Sequence, residues 1–458
     1  MGPAAVWMLL PLLTACATDS GSDVTPDACE GAMTDERVNV PFECDELGFL
    51  IKEAGKVGGT EIILAAGSYF IEGDLALKND VHLRGEDPGD PPVIQVTGTF
   101  SALNALVEDL VVDGVVEARQ SDLRRVTATS ASLHDVVGSK LDFEQLSVTG
   151  ELDLSDVSAT EWLEVDGGGR LTRVVAKAGS VVVAGDSTLS GSRLPAVTIR
   201  PDTESRDRVD VAIQETTILG ALVAHGGTSG SVYVHLDDSE ARGLRVDNDV
   251  RAASLEIQVR RSVLQGDAAA VIDLSDADNY GLTVTNSLVY GDDELLATAA
   301  DGLDLAETAA LVFHNNVFVG GDMVFQQAPE CGVASTASLD LRNNVFVDVT
   351  LDLVLLLDQR FTASHNLFVD SGCANCEILT GDECTHTAPR QNLDFLHAEG
   401  SLHPDDAGFE ALDLDAPGDS DLHLSSSSVA VDAGVREWSD PDGTRSDIGL
   451  YGGQEAGE

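Results

Sequence analysis

The chain has 458 residues, 43% of them hydrophobic, so it can bury a large core, and its length alone allows two or three domains. Its formal net charge is −53, from 79 acidic and 26 basic residues. This charge repels nucleic acid and anionic lipid, which excludes a nucleic-acid partner; attraction of cations such as Ca²⁺, or solubility alone, accounts for the acid excess.

An uncharged apolar segment opens the chain. The stretch "AAVWMLLPLL" (4–13) is too short to span a bilayer, which takes about 20 residues, and is typical of an export signal. It runs into "LLTAC" (12–16), which resembles the lipobox of bacterial lipoproteins, where the Cys carries the lipid and becomes the mature N-terminus. The resemblance implies a signal peptide over 1–15, lipidation of Cys16, and a membrane anchor at the outer membrane or cell surface of a bacterial envelope. The alternative is an ordinary signal peptide with a chance cysteine.

Residues 16–40 are predicted to be a flexible tether, because "ATDSGSDVTPDA" (17–28) has no apolar periodicity. Six further cysteines, an even number, favour disulfides in an exported protein. They are Cys29, Cys44, Cys331, Cys373, Cys376 and Cys384. We expect Cys29 to pair with Cys44, since the two flank the start of the folded domain. A zinc site at "CANC" (373–376) with Cys384 and His386 is the alternative.

A helix is predicted within residues 41–59. Its apolar positions, from Leu47 to Val57, share one face, and Gly58 and Gly59 stop it. A helix here would cap the bare end of a stacked structure, where unpaired strand edges otherwise invite aggregation.

Similar short segments recur through the second half of the chain, as in "HNNVFVG", "RNNVFVD" and "SHNLFVD". Aligned on the residue before the apolar stretch, they form a column with successive differences of 22, 23, 25, 29, 28 and 22 residues. The column is Thr217, Ser239, Ser262, Ser287, Asn316, Asn344 and Asn366. Such a period is the signature of stacked repeats.

The repeated unit has the composition of strands. Alternation is visible in "LEIQV" (255–259), and no convincing helical stripe separates the segments. A period of 22–29 residues fits one coil of three short strands, so the sequence predicts a parallel β-helix. Less similar segments between 108 and 179 are interpreted as successive strands within coils of about 20 residues. Asn suits a left-handed corner and stacks into amide ladders, so Ser262, Ser287, Asn316, Asn344 and Asn366 are predicted to form a structural ladder.

The chain therefore resembles the pectin-lyase-like right-handed β-helix superfamily. Its start, "GGTEIILAAGSYFIEGDLALKNDVHLRGE" (58–86), is similar to the cap and first coils of that family. The stretch from 405 to 453, through "DLHL", "SVAVDAG" and "DPDGTRSDIGLYGG", resembles a closing module of bacterial secreted β-helices, with Val429 for the usual Pro and Leu450 for the usual Ala. The predicted β-helix domain is 41–453.

Enzymes of this superfamily mostly cut acidic polysaccharides, which implies an Arg or Lys base beside carboxylates that hold Ca²⁺. Weak catalytic candidates are Asp237, Asp238, Arg260, Arg261, Asp292 and Asp293, since residues one coil apart lie about 4.8 Å apart along the axis. Asp pairs also arise by chance in so acidic a chain. A polygalacturonase-like site is not assigned: "AHGG" (224–227) is present, with His225 interpreted as a loop residue, but "NTD" and "RIK" are absent.

The turn "DPDGTRSD" (440–447) offers oxygen ligands for Ca²⁺ from Asp440, Asp442 and Asp447, the one cofactor the sequence suggests. The favoured interpretation is a turn in which Arg445 pairs with an Asp and closes the last coil. Aromatic residues are 5% of the chain, and no basic groove suits a polyanion. The sequence thus favours a non-catalytic surface protein that binds a glycan, a partner protein or Ca²⁺. The alternative is a polysaccharide lyase or glycosidase with its site on the 210–300 face.

Overall fold

The computed structural model describes most of the chain. The described residues are 37–40, 47–200, 208–226, 230–248, 253–266, 270–277, 279–298, 308–326, 338–356, 360–379, 390–392, 394 and 396–453. Within them no helix is long and apolar enough to cross a membrane. Cys16, the signal peptide, and the Cys29 to Cys44 pair lie outside the described residues.

The first elements form a helical cap and the opening coils. They are β1 (Arg37–Val40), α1 (Leu47–Val57), β2 (Glu61–Leu64), β3 (Ser68–Ile71), β4 (Leu75–Lys78) and β5 (His82–Gly85). Helix α1 buries Leu47, Leu50, Ile51 and Ala54, and it ends where Gly58, at φ +75°, donates its N–H to Ala54 O. The tether was predicted to extend through residue 40; its last residues, 37–40, form β1, which pairs in parallel with β2.

Long strands that run through the corners form the next coils. They are β6 (Val93–Leu103), β7 (Leu106–Arg119), β8 (Asp122–His134), β9 (Val137–Ala176) and β10 (Gly179–Ser190). Paired residues in successive turns are 15 to 18 apart: Val115 pairs with Ser130, and Val93 with Val111. Each of these narrow coils therefore has fewer residues than the 20 predicted, because the repeated segments mark two corners of each coil.

Wider coils of three strands follow. The strands are β11 (Arg193–Leu194), β12 (Ala196–Ile199), β13 (Arg208–Gln214), β14 (Thr217–Ile218), β15 (Leu222–His225), β16 (Gly230–Asp237), β17 (Glu240–Ala241), β18 (Leu244–Asn248), β19 (Ala253–Arg260), β20 (Val263–Gln265), β21 (Ala270–Ala277), β22 (Asn279–Thr285), β23 (Leu288–Tyr290), β24 (Glu294–Thr298), β25 (Thr308–His314), β26 (Val317–Val319), β27 (Asp322–Gln326), β28 (Ser338–Arg342), β29 (Val345–Val347), β30 (Thr350–Leu356), β31 (Arg360–Ser364), β32 (Leu367–Val369) and β33 (Gly372–Leu379). The antiparallel β34 (Arg390–Asn392) pairs with β33. After it come β35 (Phe409–Ala411), a 3₁₀ turn (Pro417–Asp419) and β36 (Asp421–Leu424).

Every third strand of the wide coils pairs in parallel, which confirms the predicted parallel β-helix. Sheet A contains β13, β16, β19, β22, β25, β28 and β31; sheet B contains the short strands β14, β17, β20, β23, β26, β29 and β32; sheet C contains β15, β18, β21, β24, β27, β30 and β33. Inward side chains stack along the axis, as with Phe318, Phe346 and Phe368, whose neighbouring ring centroids are 5.1 Å apart. His225 ends β15 in sheet C and is not the loop residue predicted.

One corner has a left-handed residue in every coil from 109 to 365. This corner file consists of Asp109, Arg125, Lys140, Asp156, Arg173, Gly191, Glu215, Asp238, Arg261, Asn286, Asn315, Asn343 and His365, all with φ between +46° and +58°. In the wide coils it joins sheet A to sheet B. The second Asn of each "NN" pair was predicted to tolerate this conformation, but it is the first Asn that adopts it.

In the wide coils, the residue after each corner builds a ladder of buried hydrogen bonds. The backbone N–H of Ser287 donates to Asn316 Oδ1 at 3.0 Å, and the N–H of Asn316 to Asn344 Oδ1 at 3.1 Å. The N–H of Asn344 donates in turn to Asn366 Oδ1 at 3.0 Å, and the backbone N–H of Ser262 donates to the Ser287 hydroxyl at 3.2 Å. The ladder satisfies a backbone N–H that the corner withdraws from the sheet.

One position of the aligned column is wrong. Thr217 pairs with Glu240 in sheet B, one residue past the ladder. Its neighbour Thr216 occupies the ladder position and donates its N–H to the Ser239 hydroxyl at 3.1 Å. The error arose because "ETTILG" offers two consecutive threonines to the alignment.

The C-terminal segment, residues 405–453, lies along the side of the β-helix. It covers the outward aliphatic side chains of sheet B, and the two form a second apolar cluster. The buried members are Leu288, Val317, Val319, Val345, Val347, Leu367, Val369, Ala407, Leu422, Ala430 and Ile448. The prediction that 440–447 closes the last coil is therefore wrong. Leu402, whose N–H donates to Asn366 O, bridges to Leu367 there instead.

Candidate functional site

A groove of about 470 Å³ lies where sheet A meets the C-terminal segment. Its lining residues are Gln258, Arg260, Thr283, Thr285, Asn286, His314, Asn315, Glu437, Trp438 and Gly453. The sheet supplies its floor, since Gln258 pairs with Thr283, Arg260 with Thr285, and Thr285 with His314 in successive coils. Alternation along each strand turns these polar side chains outward while their neighbours fill the core.

The corner file holds the C-terminal segment, which forms the opposite wall of the groove. Asn286 Nδ2 donates to the carbonyl oxygens of Leu450 and Gly452, both at 2.8 Å. Asn343 accepts the N–H of Val435 at 2.8 Å and donates to the Ser446 hydroxyl at 3.0 Å. The asparagines of the left-handed corner therefore also dock the C-terminal segment, which positions one side of the groove.

Trp438 is placed by its backbone and by two neighbours. Its N–H donates to Val435 O at 3.1 Å, and its carbonyl accepts the Ser446 N–H at 3.0 Å. The indole lies 4.9 Å from the His314 ring, measured between centroids, at an interplanar angle of 53°. The guanidinium carbon of Arg342 is 6.0 Å from the indole centroid. A half-buried aromatic surface therefore borders the polar floor.

Charges around the groove are paired. Asp340 Oδ1 is 2.8 Å from Arg342 Nε, and Asp340 Oδ2 is 3.2 Å from His314 Nε2. Both contacts are close enough for an ion pair but poorly aligned for a hydrogen bond. Arg260 binds both oxygens of Asp237, at 2.7 and 3.1 Å. Because each cation faces a carboxylate and Glu437 adds another, the groove carries no excess of positive charge.

The predicted catalytic candidates divide into three places. Asp237 and Arg260 pair across one coil at the end of sheet A, and only Arg260 reaches the groove. Asp238 and Arg261 pair likewise in the corner file, through hydrogen bonds of 2.7 and 2.8 Å. The Arg261 guanidinium lowers the pKa of the Asp238 carboxyl. These four residues meet one coil apart, as the spacing allows. They form two closed Arg–Asp pairs, which means that each Arg binds both carboxylate oxygens of its Asp.

Asp292 and Asp293 lie elsewhere, on the exposed turn between β23 and β24. They adjoin an acidic row on sheet C in which Glu294 pairs with Asp322 of the next coil. Burial, followed by the charges of Asp322, Asp273 and Asp293, raises the pKa of the Glu294 carboxyl. Neither Arg–Asp pair belongs to this turn.

We expect Glu294→Gln to stabilise the protein at pH 7 by about 0.5–1 kcal/mol, because partial burial and then the neighbouring like charges disfavour the ionised carboxylate. A raised pKa means that ionisation costs more in the folded state, so the cost appears as pH rises through the folded pKa. The gain should therefore fade as pH approaches about 4 and as salt is added. Urea unfolding at pH 7 and pH 4 measures this, with exposed Glu410→Gln as control. Loss of stability at pH 7 would contradict it.

The carboxylates of the predicted Ca²⁺ turn accept hydrogen bonds from backbone N–H groups. Asp440 accepts the N–H of Asp447 at 3.0 Å and of Gly453 at 2.6 Å, and Asp442 accepts that of Thr444 at 2.8 Å. Burial raises the pKa of Asp440 and Asp447, whereas the Thr444 N–H lowers the pKa of Asp442. Across the described ranges, no group of three or more His, Cys, Asp or Glu side chains is placed to hold a metal ion.

Among the residues that the structure describes, Arg445 has no Asp partner, contrary to the prediction. Its guanidinium donates to the carbonyl oxygens of Gly434 at 2.7 Å and Ala433 at 3.0 Å, which tightens the turn through backbone acceptors.

Two of the predicted disulfide cysteines are bonded to each other. Cys373 and Cys376 of "CANC" form a disulfide within β33, so their thiolates do not supply the alternative zinc site. Cys331, Cys384 and His386 lie outside the described residues.

Sequence reasoning missed the groove. Gln258, His314 and Trp438 come from distant parts of the chain and meet only through coil stacking and the return of the C-terminal segment. One signal was present: "VFV" at 317–319 and 345–347 is apolar at three consecutive positions, as in strands buried on both faces. Such strands require an outer cover.

No protein-family model and no curated protein matches the chain. Among solved structures, pectate lyase Pel9A is 12% identical, with 93% of this chain and 98% of that chain covered at a TM-score of 0.30. The alginate lyase AlyF-OU02, solved in complex with G6, is 10% identical, covering 80% and 93% at a TM-score of 0.24. An alginate lyase from Paenibacillus sp. str. FPU-7 is 12% identical, covering 73% and 98% at a TM-score of 0.17. The strand pairing itself confirms the parallel β-helix fold.

Proposed function

We propose that this β-helix protein is a lipid-anchored component of a bacterial envelope that binds a glycan without cleaving it. The lipobox-like "LLTAC" supports the anchor at Cys16. The groove supports binding, because it combines outward polar side chains with one aromatic surface, as ligand sites do.

The closed Arg–Asp pairs carry the non-catalytic part of the proposal. A lyase of the kind considered needs an Arg or Lys that removes a proton, and therefore a guanidine or amine held neutral. Asp237 lies 2.7 Å from Arg260, and Asp238 lies 2.7 Å from Arg261, so each guanidinium is favoured in its charged form. The same bonds engage both oxygens of each carboxylate, which reduces their capacity to bind Ca²⁺ or a water.

An enzyme is the second candidate, and one observation favours it. His314 Nε2 contacts Asp340 at 3.2 Å beside the groove, an arrangement that also suits a general base. Such an enzyme would be a polysaccharide lyase or glycosidase that takes Arg260 from the predicted 210–300 face.

Binding and cleavage separate in a single experiment. The purified protein is incubated with acidic and neutral polysaccharides, with and without Ca²⁺. Retained polysaccharide is measured by co-sedimentation on immobilised protein, and cleavage by unsaturated or reducing ends. We expect retention of at least one polysaccharide without new ends. Product release that His314→Ala abolishes would overturn the non-catalytic proposal, and no retention at all would overturn glycan binding.

A further inference from the structure

We propose that the groove between sheet A and the C-terminal segment holds an uncharged sugar residue, stacked on Trp438 and hydrogen-bonded to Thr285 and Asn315. This inference rests on the proposed glycan-binding function and gives it a site and a class of ligand.

The floor has polar atoms without a partner. Thr285 Oγ1 and Asn315 Oδ1 are buried and make no hydrogen bond within the described part of the chain. Asn315 as a whole is only 7% exposed, yet it lines the groove. An unpaired buried polar atom costs about 1–3 kcal/mol. A ligand hydroxyl that donates to the Asn315 oxygen and exchanges a hydrogen bond with the Thr285 hydroxyl would remove that cost.

The wall has an aromatic surface. Trp438 borders these atoms, and contacts with His314 and Arg342 restrict its ring. A rigid aromatic surface beside convergent polar groups matches a ring-shaped ligand with an apolar face and hydroxyls at its rim. The groove, at about 470 Å³, is within the size range of small-molecule sites.

The charge pattern selects against acidic sugars. Arg260 and Arg342 already face Asp237 and Asp340, while Glu437 stands exposed at the groove. An anionic sugar would meet a chain of net charge −53 without an uncompensated cation in this groove. A neutral sugar avoids that repulsion.

The test is a titration of the full chain with cellotetraose, maltotetraose, mannotetraose and, for comparison, trigalacturonate, followed by calorimetry and tryptophan fluorescence. Trp438→Ala removes the aromatic surface. Asn315→Gly removes the amide but keeps the left-handed φ of 56° without strain. The controls are Trp162→Ala, a tryptophan 49% exposed on the narrow coils, and Gln120→Gly, a left-handed corner at φ 50° far along the chain.

We expect a neutral saccharide to bind the wild type and both controls alike. Its Kd should rise at least about tenfold in Trp438→Ala and in Asn315→Gly, as for a central contact residue. Binding that survives both groove substitutions would overturn the groove and leave the proposed function standing. Tighter binding of trigalacturonate would overturn the neutral class, and failure of every saccharide to bind the wild type would overturn both proposals.

Discussion

Replacement of Asn344 by Ala is expected to lower the free energy of unfolding by about 3–5 kcal/mol, since several buried polar groups lose their partner at about 1–3 kcal/mol each. Asn344 Oδ1 accepts from the backbone N–H of Asn316, and its Nδ2 donates to Phe313 O at 2.8 Å and to Asn366 Oδ1 at 3.2 Å. Asn344 is fully buried, so water cannot replace these bonds. Urea unfolding followed by circular dichroism measures the change.

Two variants test the reason for that loss. Asn344→Ser should recover part of the stability, because serine at ladder position 287 already accepts the N–H of the preceding coil at 3.2 Å. Asn375→Ala is the control, since the exposed Asn375 amide makes one 3.3 Å bond to Asp352, and it should change stability by less than about 0.5 kcal/mol. Equal effects of Asn344→Ala and Asn375→Ala would refute the ladder.

Ile448→Asp should release the C-terminal segment from the β-helix. Ile448 is fully buried against the outward valines of sheet B. A carboxylate there has no partner, and we expect the docked state to lose at least about 4 kcal/mol. The coils themselves keep their own core, so circular dichroism should retain most of its strand signal while limited proteolysis cuts within 405–453.

Val429→Asp is the matched control, because this β-branched residue of the same segment is 53% exposed. It should leave the proteolysis pattern unchanged. If Ile448→Asp were as protease-resistant as Val429→Asp, the second apolar cluster would not hold the segment. Release of the segment should also expose Val317, Val345 and Leu367, and so promote association at high protein concentration.

The sequence predicts the coils well because stacking repeats the same local requirement in every turn. In the wide coils a buried polar residue follows each corner, and this recurrence predicts the fold and the ladder that contains Ser287, Asn316 and Asn344. The same recurrence hid which residue of "NN" is left-handed, since both positions are Asn. It also hid the narrow coils, because two corners per coil produce similar segments at spacings shorter than a coil.

The groove and the C-terminal segment were beyond the sequence for a different reason. Their contacts join Asn286 to Leu450 and Asn343 to Val435, and no period relates these positions. Coil spacing does predict that Asp237 lies next to Arg260. It does not predict that the two form a closed pair, because this depends on side-chain geometry. The position of a residue along a β-helix is therefore predictable where the repeat governs it. The segment that covers the outer face of the helix is not predictable in this way.

Hydrogen exchange of the Asn343→Gly variant tests most directly whether the corner file docks the C-terminal segment and so builds the groove. Glycine keeps the φ of 58° and removes only the amide that binds Val435 and Ser446. We predict faster exchange throughout 430–453, unchanged exchange in the narrow coils, and no such effect in Gln120→Gly. Equal protection of 430–453 in Asn343→Gly and wild type, or no protection in the wild type, would contradict the account.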